Sequence, residues 1–323
     1  MIGIFRTGLL CLVFCFLQPG LSALPTRENP RDLVIYGIRG PSGLGMVGLF
    51  DKPVQAPGFS TRIETLAQAD LVAARFISGE AKIGILPPNM AAKIASSGKD
   101  IRIAAVIGMG MLSLLTSDPD VNGIGDLKGK TVEAAGQGAT PDYVFRAILS
   151  NNGLVADTDV RLGFSLAYPE IAQSLIAGRI STALLPEPFA TQALLARPSL
   201  RSVCDIRQQW QDLTGTDNFP MTVIAVDGNF ASANQQALKI ILSDIEESVK
   251  WTVANPQEAG LLAQKYDLGF PPDAAALAIP KSNYVYIPAG QARAALENLY
   301  GIFLRYSPVS IGGVMPGDEF YLQ

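Results

Sequence analysis

The sequence predicts an α/β protein built as two lobes. Short apolar runs with the character of buried strands alternate with amphipathic helical segments along most of the chain. Two apolar stretches, near 108–116 and 219–226, read as points where the chain crosses from one sheet to another and returns. Beyond the second crossing the chain is mostly helical. Together these place a discontinuous first lobe over residues 32–110 and 225–323, with residues 111–224 inserted as the second lobe.

Residues 1–23 stand apart as a secretory signal. Arg6 supplies the positive start, residues 8–17 the apolar stretch, and residues 18–23 a helix-breaking end. Cleavage after Ser22 leaves Gly20 and Ser22 as the small residues, with cleavage after Ala23 the near alternative. The apolar stretch is shorter than a membrane-spanning helix needs, and no other stretch approaches one. The expected location is therefore periplasmic or otherwise extracytoplasmic. Cys11 and Cys15 lie inside the segment, either as ordinary apolar residues or, for Cys15, as a lipidation site for which Phe14 is a poor preceding residue. Cys204 is then the sole cysteine of the processed chain, which rules out an intrachain disulfide and reads as a buried strand-end thiol.

Composition narrows the functional classes. The 323 residues suffice for two domains of ordinary size, and 48% hydrophobic content with 31 Gly and 22 Pro describes a packed core with many turns. A net charge of −4 without a basic stripe excludes a general nucleic-acid binder. The chain contains no histidine, which removes Ser-His-Asp and Cys-His nucleophile pairs, imidazole-bound zinc and histidine base chemistry together. No catalytic residue, metal site or cofactor is expected.

Taken in order, residues 33–38 form a continuous apolar run, the mark of a strand buried on both faces of a parallel sheet. A glycine loop at 39–45 and a short helix at 46–50 come next. The glycines at 40, 43, 45 and 48 match a dinucleotide fingerprint only loosely, because no acidic residue ends a second strand where a ribose would need it. Residues 66–78 read as an amphipathic helix with Leu71, Ala74 and Ile77 inward, stopped by Gly79. A strand at 82–86 runs into Pro87-Pro-Asn-Met-Ala-Ala92, where Asn89 either caps the helix or faces a ligand. Strands at 101–107 and 111–116 precede a turn at Asp126-Leu-Lys-Gly-Lys and a strand at 130–134.

The glycine loop Gly136-Gln-Gly138 then leads to a helix with Thr140 as its expected N-cap, Pro141 at the first helical position and Asp142 in the first turn. Further on come a strand at 160–164, a helix at 168–177 and a buried strand at 180–185 that ends in Pro186-Glu-Pro-Phe189. A carboxylate between two prolines has little backbone freedom. Glu187 reads either as a first-turn residue favoured by the helix dipole or as an acceptor for a ligand N–H, with Phe189 available to stack. An outer strand at 200–204, the returning strand at 219–226 and helices at 234–253, 256–266, 272–279 and 288–305 complete the chain. Leu238, Ile241, Leu242, Ile245 and Val249 give the first of these a clean apolar face, and residues 284–287 an extended aromatic segment.

The strand-to-helix junctions all fall where ligands sit in open α/β sheets, beyond the carboxyl ends of strands. Loops from two lobes facing one crevice would clamp a small molecule.

Two motifs carry a specific resemblance. Asp126-Leu-Lys-Gly-Lys-Thr131 with Gly-Gln-Gly-Ala-Thr-Pro-Asp-Tyr-Val144, and Leu184-Leu-Pro-Glu-Pro-Phe-Ala-Thr191, resemble signatures of the nitrate/sulfonate/taurine-type substrate-binding proteins of ABC importers. The ending Ser310-Ile-Gly-Gly-Val-Met-Pro-Gly-Asp-Glu-Phe-Tyr321 is similar to one branch of that family. The resemblance implies a type II periplasmic-binding fold, two α/β lobes joined by a hinge with a ligand cleft between them. It implies a monomer that binds a small-molecule ligand and partners an ABC permease with its ATPase subunit. It places ligand contacts at Ser42, Gly43, Pro88, Asn89, Gly138, Ala139, Thr140 and Glu187, beside Phe189.

The family also includes enzymes that build a thiamine pyrimidine from their own histidine, an activity that a chain without histidine does not inherit. Only Arg39 brings positive charge near a junction, and Glu187 would repel an anion. The expected ligand is therefore a neutral or N–H-bearing heterocycle, such as a vitamin or pyrimidine precursor, ahead of a sulfonate or nitrate. A small-molecule lyase or dehydratase on the same fold, and a ligand-sensing partner of a membrane receptor, are the alternative readings.

Overall fold

A computed structural model describes residues 30–323 together with Ile2. The expected signal segment, with Cys11, Cys15 and the cleavage site, lies outside the described residues. The strands, in chain order, are β1 Arg31–Ile38, β2 Gln55–Ala56, β3 Phe59–Leu66, β4 Ile83–Leu86, β5 Ile101–Met109, β6 Leu112–Thr116, β7 Thr131–Glu133, β8 Arg161–Gly163, β9 Thr182–Pro186, β10 Arg201–Asp205, β11 Pro220–Asp227 and β12 Tyr284–Pro288. They form a seven-stranded sheet, β12-β5-β11-β4-β1-β3-β2, and a five-stranded sheet, β10-β6-β9-β7-β8. Each sheet is mixed: β1 runs parallel to β3 and β4, and β7 parallel to β8 and β9, while β11 is antiparallel to β4 and β5 and β6 antiparallel to β9. The helices pack around these sheets as two α/β lobes, the fold class expected from the sequence.

The parallel strands bear out the reading of continuous apolar runs. All four residues of β4 are buried, and so are all five of β9. β3 was not legible in the same way, because Phe59-Ser-Thr-Arg-Ile-Glu-Thr-Leu66 mixes polar and apolar residues. Its pairing with β1 over eight residues, from Arg31↔Phe59 to Ile38↔Leu66, is what makes it a strand.

The next helix corrects the expected inward face. Leu66 ends β3, the helix is Ala69–Ser78, and its buried residues are Val72, Ala73 and Phe76. Leu71 and Ile77 are 45% and 51% exposed. The cause is Gly84 on β4: a Cβ there would lie 2.9 Å from the Phe76 ring and 3.2 Å from Val72, so the missing side chain sets which face docks. Met46 and Val47 are buried, and the expected helix at 46–50 is split into Pro41–Gly45 and Gly48–Asp51. The helix Gln235–Ala254 buries Leu238, Ile241, Ile245 and Val249 as expected. Cys204 lies in β10 and is half-buried, and its burial pushes the thiol up to about 11.

Two crossings join the sheets. The outward one is the short step from β5 to β6 through Gly110 and Met111. The return falls at 215–219, between the helix Ile206–Thr214 and β11, and so ahead of residue 225. β11 pairs with β5 from Pro220 to Asp227, so it belongs to the first sheet over its full length. The crossings are tied side by side: Gly110 N donates to Asn218 Oδ1 at 2.8 Å, and Asn283 Nδ2 donates to the Gly110 carbonyl at 2.6 Å. Among the described residues no helix is long and apolar enough to cross a membrane.

Candidate ligand cleft

The carboxyl ends of β1 and β4 in the first lobe meet those of β7 and β9 in the second. Two clusters of contacts mark the seam, and together they hold the candidate residues.

The first cluster joins β4 to β7. Pro87 is the N-cap of the helix Pro88–Ser96, and Asn89 lies inside its first turn without a capping bond. Asn89 Nδ2 instead donates to the Gly138 carbonyl at 2.8 Å, and its Oδ1 accepts from Thr140 Oγ1 at 2.9 Å. Asn89 is 1% exposed and Thr140 is fully buried. This corrects the expected N-cap of the second-lobe helix: Ala139 holds that position, and the Thr140 hydroxyl is drawn away to Asn89.

The helix has no side-chain cap: Asp142 Oδ2 accepts from Gly138 N, in the loop ahead of the helix, at 2.9 Å, while Oδ1 accepts from Arg146 Nε at 2.6 Å. The glycine loop therefore offers less to an anion than a bare helix N-terminus would, since its Gly138 N–H is already held by a carboxylate. The Pro88 carbonyl accepts from Tyr300 OH at 3.2 Å, which anchors the helix start to the C-terminal helix Ala289–Tyr306.

The second cluster joins β1 to β9. Gly40 has φ +114°, a backbone conformation open to glycine, and a Cβ there would sit 3.4 Å from the Phe189 ring. Phe189 is 1% exposed, with ring centroids 4.9 Å from Phe270 and 5.9 Å from Tyr168. Ser42 Oγ donates back to the Ile38 carbonyl at 2.9 Å, leaving its lone pairs to accept. Gly43 lies close under Leu268, where a Cβ would come within 3.3 Å. Tyr284 OH donates to the Pro41 carbonyl at 2.7 Å and fixes the Pro41–Gly45 turn.

Glu187 is the electrostatic centre of this cluster. It is 5% exposed, and its Oε2 accepts from Thr191 N at 3.0 Å. Thr191 is the one residue among those described that hydrogen-bonds its carboxylate. Burial raises its pKa, against the lowering effect of the Thr191 hydrogen bonds and of the Lys281 charge. Lys281 reaches across from the first lobe, with Nζ 3.4 Å from Thr191 Oγ1. Lys281, Tyr168 and Phe270 did not stand out in the sequence, because each comes from a segment whose register against the cleft is set by packing, and Tyr284 was visible only within the extended aromatic segment at 284–287. Ser310 was visible only within the tail motif.

A two-lobed α/β chain with strand-end loops meeting across a hinged seam has the architecture of the periplasmic binding proteins. Residues 74–265 match the NMT1-like family, and the chain belongs to it. No curated protein matches it. An ABC transporter structure from Parabacteroides distasonis is similar over 90% of this chain and 98% of that one, at 23% identity and a TM-score of 0.75. The periplasmic aliphatic sulphonate binding protein SsuA from Escherichia coli aligns over 91% and 93% of the two chains, at 17% identity and a TM-score of 0.68. The periplasmic nitrate-binding protein NrtA from Synechocystis PCC 6803 aligns over 86% and 82%, at 13% identity and a TM-score of 0.68. At these identities the structures show a shared fold, and with the family match they bear out the resemblance read from the two motifs.

Proposed function

We propose that the protein is the extracytoplasmic solute-binding component of an ABC importer. It takes up a small molecule as the two lobes close and hands it, as a monomer, to a membrane permease driven by its ATPase subunit. The reading is supported by the family match and by similar structures named as periplasmic sulphonate- and nitrate-binding proteins and as the ligand-binding component of an ABC-type import system. In it the protein is a binder and not an enzyme, and the solute contacts are Ser42, Gly43, Pro88, Gly138, Ala139, Glu187 and Phe189, while Asn89 and Thr140, expected beside them, bond each other across the seam.

One observation carries the choice of solute. Glu187 is a buried carboxylate whose Oε2 is bonded to Thr191 N, two residues before the buried Phe189. The remaining acceptor capacity of that carboxylate is open to a ligand donor. A neutral, N–H-bearing heterocycle supplies that donor. A sulfonate or nitrate would meet Glu187 and Asp142 instead, with the Gly138 N–H already taken.

Calorimetric titration of a panel of heterocycles and oxyanions across pH tests this. A ligand that donates to Glu187 favours the ionised carboxylate, so binding releases a proton and affinity rises as pH increases through the raised pKa, then levels off. Glu187→Gln should weaken such binding by roughly 10- to 100-fold, the range for a hydrogen bond to a charged group. Tight oxyanion binding that strengthens toward low pH, or that survives Glu187→Gln, would overturn the assignment.

A further inference from the structure

Asn89 sits in the first turn of the helix Pro88–Ser96, and the two short hydrogen bonds of its amide both cross the seam. Both partners, the Gly138 carbonyl at 2.8 Å and the Thr140 hydroxyl at 2.9 Å, belong to the opposite lobe. On its own side the tail turn Pro308–Ile311 packs against the same helix start. There the Ser310 carbonyl lies 3.5 Å from Asn89 Nδ2, at the outer limit of a hydrogen bond. The Ser310 hydroxyl is fully buried and has no hydrogen-bond partner among the described residues. A buried hydroxyl without a partner carries an energetic cost, and here it belongs to the residue whose carbonyl lies near an amide whose two short hydrogen bonds exist only while the lobes are shut.

We propose that Asn89 is a closure residue with two alternative sets of partners. Gly138 and Thr140 hold its amide in the shut form. When the lobes part, the amide turns back to the carbonyl and hydroxyl of Ser310. Thr140 and Ser310 thus pull on one switch in opposite directions, Thr140 favouring the shut state and Ser310 the open one. The solute need supply only the difference between two nearly balanced states. Gly312 and Gly313, both at positive φ, let the tail fold back after this turn, and Gly312 rests on Ser96 at the far end of the Asn89 helix. The proposal rests on the clamp reading above and is independent of which solute the clamp holds.

Small-angle X-ray scattering of the full protein, unfolded and refolded to remove any retained solute, reads the open-to-shut ratio directly. Asn89→Ala and Thr140→Val should each raise that ratio by about fivefold or more, the loss of one or two buried hydrogen bonds. Thr140→Val acts from the other lobe and keeps the test available if Asn89→Ala fails to fold. Ser310→Ala, placed in the Thr140→Val background where both states are populated, should lower the ratio by about threefold. Scattering of both seam variants that matches the unmodified protein overturns the proposal, and so does Ser310→Ala leaving the ratio unchanged or raising it. Because no solute is present, failure here is distinct from failure of the binding reading, which the titration decides alone.

Discussion

Phe189→Ala should cost about 3–5 kcal/mol of stability, the range for truncating a fully buried aromatic. The ring is 1% exposed and is held by residues of both lobes: Phe270 at 4.9 Å and Gly40 from the first, Tyr168 at 5.9 Å from the second. Its removal leaves a cavity that neither lobe can close alone, because Gly40 has no side chain to move into it. Part of the loss should therefore appear as lobe opening and part as unfolding. Urea denaturation followed by tryptophan fluorescence separates the two. Of the two tryptophans, Trp210 lies in the helix Ile206–Thr214 of the second lobe and Trp251 in the helix Gln235–Ala254 of the first. A loss below about 1 kcal/mol would mean that the ring is not packed between the lobes as described.

Gly110→Ala is the second large effect, expected at about 2–3 kcal/mol through overpacking at the crossing between the sheets. An added Cβ would lie 2.7 Å from the ring of Phe219, which is fully buried and itself 5.0 Å from Trp210. It would also crowd Asn218 Oδ1, the acceptor of the Gly110 N–H, so relief of the clash breaks the tie between the crossings. The destabilisation should register at Trp210 before Trp251, as tested in Trp251→Phe and Trp210→Phe backgrounds. Wild-type stability in Gly110→Ala, or a change at Trp251 alone, would show that the crossing tolerates a side chain and that the tie is dispensable.

The same positions mark what was legible in the sequence. The strand-to-helix junctions at Gly138 and Glu187 could be read because buried parallel strands are continuous apolar runs, and such runs end where loops and helix starts begin. Pro88 and Ser42 were found in the same way. The roles of these side chains were less accessible. Thr140 has the residue type and position of an N-cap, and local chemistry predicts that it bonds its own helix. It bonds Asn89 instead, since a partner 51 residues away satisfies its hydroxyl, and the helix goes without a side-chain cap.

The inward face of the helix Ala69–Ser78 was misjudged for a related reason. Apolar periodicity allowed two faces, and the missing Cβ of Gly84 on a neighbouring strand selects Val72 and Phe76.

The sequence alone therefore determined the fold class, the alternation of strands and helices, the glycine and proline junctions, and the absence of histidine chemistry. These follow from periodicity, backbone restriction and residue type, which are local properties. Tertiary structure decided that Glu187 is buried and bonded by Thr191, that Phe189 is shared between the lobes, and that Asn89 spans the seam with the Ser310 hydroxyl, unpartnered among the described residues, behind it. Burial and hydrogen-bond partners depend on which distant segments share a neighbourhood, and no local pattern encodes that.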